Sequence, residues 1–373
     1  MNIIRIQGQL EYSRGILYEY DADSIPIGEG GMGKIFHGYR VDTLTGARDS
    51  VAIKVIHDNI ASQPQIIERA YRESMVQIDH DNLLRMYGFI QTLEQNPMTG
   101  GQIIRNYMIM ERLVGVNLDH VMEGTITDKS GLVVPFAQQT GDAWANDKSK
   151  VAVEIMTGLL KGLQALHSAG YIHRDIDPSN VMLTFDEKIK LIDYGICKQI
   201  SNPTTQNKSL TQAGTFMGKV KYAAPELILG DLVNQNATTD LYACGILLFQ
   251  LLTGHLPFEG SDSEIMAHHM RDPLPLDEIQ DKKLRSIVEK ATFKEQNRRY
   301  QSASEFLADL GGVDHAVEPK GSNGGKVEKS DSGDKGGVKV EAQIIPYPKV
   351  TLFAGIALAA GILLGLVFKL IIG

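Results

Sequence analysis

The sequence predicts an α+β globular domain followed by a polar linker and a C-terminal membrane helix. The stretch SVAIKVI, residues 50–56, is a short apolar run of strand length. The stretch PQIIERAYRESMVQI, residues 64–78, places its apolar residues partly on one helical face. Residues 350–368 contain no charged side chain. At about 1.5 Å per residue such a run spans roughly 29 Å, about one hydrocarbon core.

Residues 1–22 are predicted to form an N-terminal extension of this domain. Polar Arg5, Gln7 and Gln9 alternate with apolar or small residues, which is the period-2 pattern of a strand. The segment has no apolar core of signal-peptide length, so it is not expected to direct secretion.

The composition is that of an ordinary globular protein, with 43% hydrophobic and 22% charged residues. The formal net charge of −8 argues against a nucleic-acid partner, because nucleic-acid-binding proteins normally present a basic surface. The two cysteines, Cys197 and Cys244, are too few for a disulfide framework and favour a reducing compartment.

Residues 311–349 are predicted to form a flexible linker. Gly, Lys, Asp and Ser dominate its first thirty or so positions, and such a composition cannot bury enough apolar surface to offset the entropy of ordering. Residues 350–372 are predicted to be a single transmembrane helix that anchors the chain by its tail, with the domain in the cytoplasm. Gly361 and Gly365 form a G-x-x-x-G pattern that would pair two chains as a homodimer.

A glycine-rich stretch, IPIGEGGMGKIFHGYRV, holds Gly28, Gly30 and Gly33 in the spacing G-x-G-x-x-G. Dinucleotide-binding folds use the same spacing, but in them a helix follows the third glycine and an acid, here Asp49, would bind the ribose. Strand-like residues and the turn DTLTG follow instead, so a hairpin that closes over phosphates is favoured. Lys54, on the next strand, would be the cation for those phosphates.

Five motifs stand in order along the chain, namely IGEGGMGKI, VAIK, HRDIDPSN, IDYG and AAPE. Together they resemble the protein kinase superfamily. A YIH lead-in and a TGHLPF segment are most similar to bacterial serine/threonine kinases of eukaryotic type. The resemblance covers residues 23–310. It implies a two-lobed fold, with a small, mostly-β N-lobe to about residue 113 and a larger, mostly-α C-lobe from about residue 114.

The resemblance implies a nucleotide site in the N-lobe. Lys54 would contact the α- and β-phosphates of ATP. Glu73 would hold Lys54 by an ion pair, with Glu68 as the other candidate, and the short stretch after Glu73 predicts a shortened helix. Met110 would be the gatekeeper beside the adenine hinge. The residues expected at ATP are Ile27, Gly28, Glu29, Gly30, Gly31, Met32, Gly33, Lys34, Ile35, Lys54, Glu111 and Leu113.

The C-lobe motifs imply the catalytic groups. Asp175 would accept a hydrogen bond from the substrate hydroxyl and orient it toward the γ-phosphate. Asn180 and Asp193 would hold two Mg²⁺ ions, which are hard cations that prefer oxygen ligands. Tyr194 replaces the more usual phenylalanine after Asp193.

Three further matches imply structural roles. Asp240 would hold the backbone of the catalytic loop, and Glu226 would pair with Arg299. Each could otherwise be a surface charge, but the position of each within the motif set favours the structural role.

The resemblance implies an enzyme that transfers the γ-phosphate of ATP to serine or threonine hydroxyls of proteins, including its own chain. The stretch DPSN is like the KPSN of serine/threonine members. The alternative is a membrane-tethered pseudokinase that binds nucleotide and acts as a scaffold. Its sign would be the loss of a catalytic residue, and all four are present: Lys54, Asp175, Asn180 and Asp193.

The resemblance also implies regulation by phosphorylation. Arg174 precedes Asp175, and kinases with that arginine are commonly ordered by a phosphate on the activation segment. Thr215 occupies the place where the family often carries a phosphothreonine, and Ser209 and Thr211 are nearby candidates.

Asp177 departs from the family, whose serine/threonine members have a lysine there that reaches the γ-phosphate and an activation-segment threonine. Lys219 stands at the position of that threonine. The two departures predict one exchange of acid and base across the same contact, with the charged atoms within about 4 Å. The alternative is that Asp177 points to solvent and catalysis is weaker.

Residues 124–148 form an insertion with no recognisable motif, which contains Trp144, the only tryptophan. A longer surface loop is predicted there, with a docking element as the alternative.

Overall fold

An antiparallel sheet of seven strands begins the fold. The computed structural model describes residues 2–58, 63–95, 100–193, 198–199 and 219–312. The elements of the N-lobe are β1 (Ile3–Ile6), α1 (Gln9–Ser13), β2 (Ile16–Asp21), β3 (Gly28–Gly30), β4 (Gly33–Asp42), β5 (Arg48–Ile56), α2 (Pro64–Ser74), β6 (Met86–Gln95) and β7 (Gln102–Glu111). The strand order is β1-β2-β4-β5-β7-β6, with β3 paired to β4.

The N-terminal residues belong to this sheet. Residues Ile3–Ile6 pair antiparallel with β2, which agrees with the strand that the alternation predicts. The strand ends before helix α1, so the predicted alternation stops short of Gln9. Ile6 is fully buried. The segment predicted as an extension therefore adds an edge strand and an apolar contact to the lobe.

Side chains of β5 alternate between two apolar clusters. Val51 and Ile53 pack in the cluster that also holds Ile6, while Ala52 and Ile56 pack in the cluster that includes Ala70 of α2. Side chains two residues apart on a strand point to the same face. Lys54 therefore lies on the face of the sheet that α2 covers.

The C-lobe is mostly helical. Its elements are β8 (Gly115–Asn117), α3 (Leu118–Met122), α4 (Pro135–Asn146), α5 (Lys148–Ser168), β9 (Tyr171–Ile172), β10 (Val181–Thr184), β11 (Ile189–Leu191), β12 (Lys198–Gln199), α6 (Pro225–Ile228), α7 (Ala237–Thr253), α8 (Asp262–Arg271), α9 (Lys282–Ala291) and α10 (Ala303–Gly311). Single 3₁₀ turns occur at Pro178–Asn180, Val220–Tyr222, Leu276–Glu278 and Gln296–Arg298. Strand β10 lies between β8 and β11, and β9 pairs with β12.

Helix α7 is the central helix of this lobe and is buried along most of its length. The Asn236 side chain accepts from the Thr238 amide, and the Thr239 hydroxyl accepts from the Asn236 amide, so a capping box fixes the first turn. The helix ends at Thr253 and is capped by Gly254, whose φ of 96° lies in the left-handed region that favours glycine. Fixing the first turn also fixes Asp240, which the site uses.

The interpretation of residues 124–148 as a surface loop is wrong for their second half. Helix α4 starts with Pro135 in its first turn, where a missing N–H costs nothing. Trp144 packs against the apolar core, and its indole N–H donates to the Leu251 carbonyl at 2.7 Å. This part of the insertion is a packed helix of the C-lobe.

The predicted tail falls outside the described residues, as do the linker beyond Gly312 and the segment that holds Tyr194, Ser209, Thr211 and Thr215. Within the part of the chain that the structure describes, no helix combines the length and the apolar character that crossing a bilayer requires.

Candidate active site

A glycine hairpin forms the start of the site. Gly28 lies opposite Ile35 and Gly30 opposite Gly33, so β3 and β4 turn back on each other through Gly31 and Met32. A strand follows Gly33, as predicted, and the helix required by a dinucleotide-binding fold is not there. The ribose-binding alternative for Asp49 therefore fails.

The three glycines at the turn of this hairpin differ in their surroundings. A Cβ at Gly33 would lie 2.2 Å from the Val55 carbonyl oxygen, so the close packing of β4 on β5 requires glycine. At Gly30 and Gly31 a Cβ would meet nothing within 4 Å. The backbone of the turn is therefore open to a ligand, which fits the expected contact with phosphates.

Lys54 and Glu73 lie on facing elements, but the ion pair that the resemblance implies is not formed between them. Lys54 is placed between Ile35 and Met108 of the neighbouring strands. Glu73 is 6% exposed, and its Oε2 atom has no hydrogen-bond partner among the described residues. Burial raises the pKa of Glu73 to about 7, although the nearby charge of Lys54 acts in the opposite direction. The charge of Lys54 thus influences Glu73 although the two described side chains are not in ion-pair contact.

Glu68 does not compete for Lys54. It lies near the middle of α2 on the exposed side and pairs with Arg72, four residues along. Helix α2 ends at Ser74, which agrees with the predicted shortening after Glu73.

The hinge carboxylate of Glu111 is held by a lysine of the C-lobe and by a backbone amide. Met110 is buried on β7 opposite Ala52. The Glu111 carboxylate accepts from Lys190 Nζ at 2.9 Å and from the Arg85 amide at 3.2 Å. Lys190 is buried on β11 and also donates to the Leu83 carbonyl at 3.1 Å. The Glu111 side chain therefore joins the hinge to the C-lobe, a role that the sequence analysis did not include.

Asp175 is oriented by its own loop. Asn180 Nδ2 donates to the Asp175 carbonyl at 2.8 Å and to its Oδ2 at 3.2 Å. Burial raises the pKa of Asp175, and the nearby acids Asp177 and Asp193 raise it further. The imidazole of His173 and the ammonium of Lys219 act in the opposite direction. The structure thus brings together the three acids of the HRD, DPSN and IDYG motifs.

Asp240 holds the backbone ahead of Asp175. Its carboxylate accepts from the amides of His173 and Arg174 at 2.8 and 2.7 Å, and from His167 Nε2 at 2.8 Å. Burial would raise the pKa of Asp240, but the His167 hydrogen bond and charge hold it below its usual range. These contacts support a left-handed backbone at Arg174, where φ is 69°. Asp240 therefore contacts the backbone of the catalytic loop, as the resemblance implies.

Glu226 and Arg299 form a buried bidentate pair. The two guanidinium nitrogens lie 2.9 and 3.1 Å from the two carboxylate oxygens, and Thr239 Oγ1 donates to Glu226 at 2.8 Å. Burial would raise the pKa of Glu226, but Arg299 holds it below its usual range. The pair connects helix α6, which contains Glu226, with the segment before α10, which contains Arg299.

Asn180 and Asp193 supply oxygen atoms suited to Mg²⁺. The amide nitrogen of Asn180 is occupied by Asp175, which turns its oxygen toward other partners. Among the described residues, no group of three or more His, Cys, Asp or Glu side chains could hold a metal by itself. Mg²⁺ is usually bound by one or two protein groups together with substrate phosphates, so this sparse set fits the ion.

The Asp177–Lys219 distance lies within the predicted limit. Lys219 Nζ is 2.7 Å from Asp177 Oδ1. Asp177 is buried, so the alternative in which it points to solvent is wrong. The sequence analysis missed its second contact: Asp177 Oδ1 also accepts from the Ser179 amide at 2.7 Å and caps the 3₁₀ turn Pro178–Asn180. The Asp-Pro dipeptide, which favours turn initiation, is the signal for it.

This two-lobed arrangement, in which a glycine hairpin and a strand lysine are combined with a loop fixed by Asp240, is that of the protein kinases. The chain belongs to this family: the model described as the protein kinase domain matches residues 22–316.

Curated relatives are similar to this chain over the same part. The probable serine/threonine-protein kinase PknB of Lactococcus lactis is 33% identical over 291 residues, 76% of this chain and 40% of that protein. PknB of Mycobacterium tuberculosis is 30% identical over 303 residues, 79% of this chain and 43% of that protein. Pkn1 of Myxococcus xanthus is 31% identical over 291 residues, 75% of this chain and 36% of that protein. The chain thus spans about two fifths of the length of these relatives.

Proposed function

We propose that this chain transfers the γ-phosphate of ATP to serine or threonine hydroxyls of proteins. The observation that carries the proposal is the arrangement around Asp175, where the Asn180 amide holds the carboxylate and Asp240 holds the loop backbone. Relatives named serine/threonine-protein kinases support the hydroxyl specificity.

The residues divide the work of the reaction. Asp175 accepts the proton of the attacking hydroxyl, whose oxygen forms a bond to the γ-phosphorus. The bond from that phosphorus to the β–γ bridging oxygen breaks, and its electron pair leaves with ADP. The open backbone at Gly30 and Gly31 cradles the phosphates, and Lys54 binds the α- and β-phosphates. Mg²⁺ held by Asn180 and Asp193 would neutralise phosphate charge.

Incorporation of labelled phosphate from ATP into a protein acceptor tests this function. The full chain is expected to incorporate label on serine or threonine. Asp175→Asn keeps the shape of the side chain but cannot accept a proton, and it is expected to lower the rate by about 100-fold or more. Equal rates for the parent and Asp175→Asn would exclude the proposed role, and ATP binding without transfer in the parent would favour a nucleotide-binding scaffold.

We further propose that the chain phosphorylates itself and that residues 350–372 tether it to a membrane. The first proposal rests on Thr211, Thr215 and Ser209 in the segment before Lys219, together with Arg174 ahead of Asp175. Mass spectrometry after incubation with ATP is expected to find phosphate between residues 201 and 217. The second rests on the uncharged apolar run of residues 350–368, in which Gly361 and Gly365 would also pair two chains as a homodimer.

A further inference from the structure

An acid and a base have an unusual arrangement beside Asp175. Asp177 lies two residues further along the loop and is almost completely buried. One of its oxygens is shared between the Ser179 amide and Lys219 Nζ, each at 2.7 Å. The other oxygen is buried and has no hydrogen-bond partner among the described residues. A buried carboxylate of this kind is costly unless a cation accompanies it.

The cation comes from a different segment of the chain. Lys219 stands directly before the 3₁₀ turn Val220–Tyr222, and its Nζ also contacts Ser179 Oγ. The Lys219 side chain is 48% exposed although its partner Asp177 is buried. The ammonium therefore has one side fixed against the catalytic loop and another side open to a ligand.

Lys219 and Asp175 reach the same cleft. Both line a depression whose other walls include Arg174, Tyr222 and Leu227. A hydroxyl bound at Asp175 would receive its phosphate in this neighbourhood. Among the described residues, the charged groups that influence Asp175 include His173, Asp177, Asp193 and Lys219. The negative charges of these three acids oppose the approach of a phosphoryl group, and a cation beside Asp177 reduces that repulsion.

We propose that Lys219, held by Asp177 and Ser179, supplies the positive charge that stabilises the phosphoryl group during its transfer to the acceptor hydroxyl. The inference rests on the proposed function. Lys219 keeps its proton throughout: the hydroxyl proton goes to Asp175, and the electron pair of the broken bond leaves with ADP. Asp177 is then a positioning residue, which acts only through Lys219. A neutral asparagine at position 177 could accept the same hydrogen bond from the Ser179 amide and cap the turn. The negative charge of Asp177 is therefore needed to hold the Lys219 ammonium, and not to cap the turn.

Steady-state kinetics of the full chain test the inference, with ATP and a protein acceptor varied separately. Lys219→Met keeps the length of the side chain and removes its charge. It is expected to lower kcat by about tenfold or more while the KM for ATP changes little, because the charge acts on the transferred group. Lys219→Arg is expected to have a higher kcat than Lys219→Met. Lys221→Met is the matched control: this lysine lies two residues further along with an exposed side chain, and parental kinetics are expected.

The double variant Asp177→Asn with Lys219→Met separates catalysis from simple neutralisation. It leaves no unpaired carboxylate at position 177, so it also decides the question if Lys219→Met alone folds poorly. A kcat that stays low in the double variant supports the proposal. Recovery of the parental kcat would overturn it, since the lysine would then only neutralise Asp177. Absence of transfer in the parent protein would instead refute the proposed function.

Discussion

At the scale of single residues, the site contains a carboxylate whose charge is poorly stabilised. Glu73 is buried, has an unpartnered oxygen, and is influenced by the charges of Lys54, Asp193 and Arg69. Its pKa rises from the ordinary 4.5 to about 7, so the folded chain binds a proton that the unfolded chain releases between these values. The stability that Glu73 contributes is thus present below about pH 4.5 and is lost as the pH rises through about 7.

Glu73→Gln is therefore expected to change the pH dependence of stability in the nucleotide-free protein. At pH 5 the parent Glu73 is largely neutral and resembles glutamine. At pH 8 the parent carries the buried charge, and the variant gains up to about 3 kcal/mol in free energy of unfolding relative to it. Urea unfolding between pH 5 and 8 measures the difference. Glu68→Gln, on the exposed side of the same helix, is the control, and parallel curves for Glu73→Gln and parent would contradict the expectation.

Single residues also show what the sequence could and could not predict. The Asp177–Lys219 contact was predictable because two departures from one family pattern pointed to each other. The Lys190–Glu111 pair was not, because its partners are 79 residues apart and neither is unusual by itself. A lysine in a buried strand signals a partner, but the sequence does not say which one.

At the scale of elements, helix α8 packs against the 3₁₀ turn Val220–Tyr222 that follows Lys219. His269 is fully buried between them: its Nδ1 accepts from the Tyr242 hydroxyl at 2.9 Å, and its Nε2 donates to the Lys221 carbonyl at 3.1 Å. The Lys221 carbonyl requires a proton on Nε2, and in the neutral imidazole Nδ1 then accepts from the Tyr242 hydroxyl. Burial lowers the pKa of His269 to about 4, with the charges of Lys294 and His268 acting in the same direction and the Lys221 carbonyl opposing them.

Acid is therefore expected to weaken this contact. The unfolded chain binds a proton at His269 near pH 6.5 and the folded chain only near pH 4, so stability is lost as the pH falls through this window, by up to about 3 kcal/mol. His269→Gln removes the titration and is expected to flatten the fall of Tm between pH 7 and 5. His120→Gln, at an exposed histidine of helix α3, is the control and should follow the parent. A His269→Gln curve that falls as steeply as the parent's would refute the assignment.

The sequence predicts some elements of the fold better than others. The glycine hairpin was predictable because strand residues and a turn follow Gly33, whereas a helix would need a different pattern. Helix α4 was missed because its twelve residues include Gln, Thr, Gly and Asp, and because it lies in a stretch without a motif. Its place is set by tertiary contacts such as Trp144 with the carbonyl of Leu251, and local sequence does not encode such contacts.

At the scale of the whole molecule, the chain divides into the units Met1–Ala316 and Val317–Gly373. The first contains every described residue of the candidate site and also the buried Glu226–Arg299 pair. The second contains the apolar run of residues 350–368. Motifs located the catalytic unit because they fix the order of its parts, whereas composition alone indicates the linker and the tail.

Removing residues 349–373 is expected to separate the two properties. The truncated chain retains the whole unit Met1–Ala316, so its kcat and its KM for ATP should stay within about twofold of the full chain in detergent. Its binding to phospholipid vesicles should be lost, because the proposed span supplies the apolar surface for insertion. Flotation of both proteins with vesicles measures this binding, and a full-length Lys54→Met variant, inactive but still tethered, is the control. Co-flotation of the truncated chain, or its aggregation with loss of ATP binding, would show that these residues are not a separable anchor.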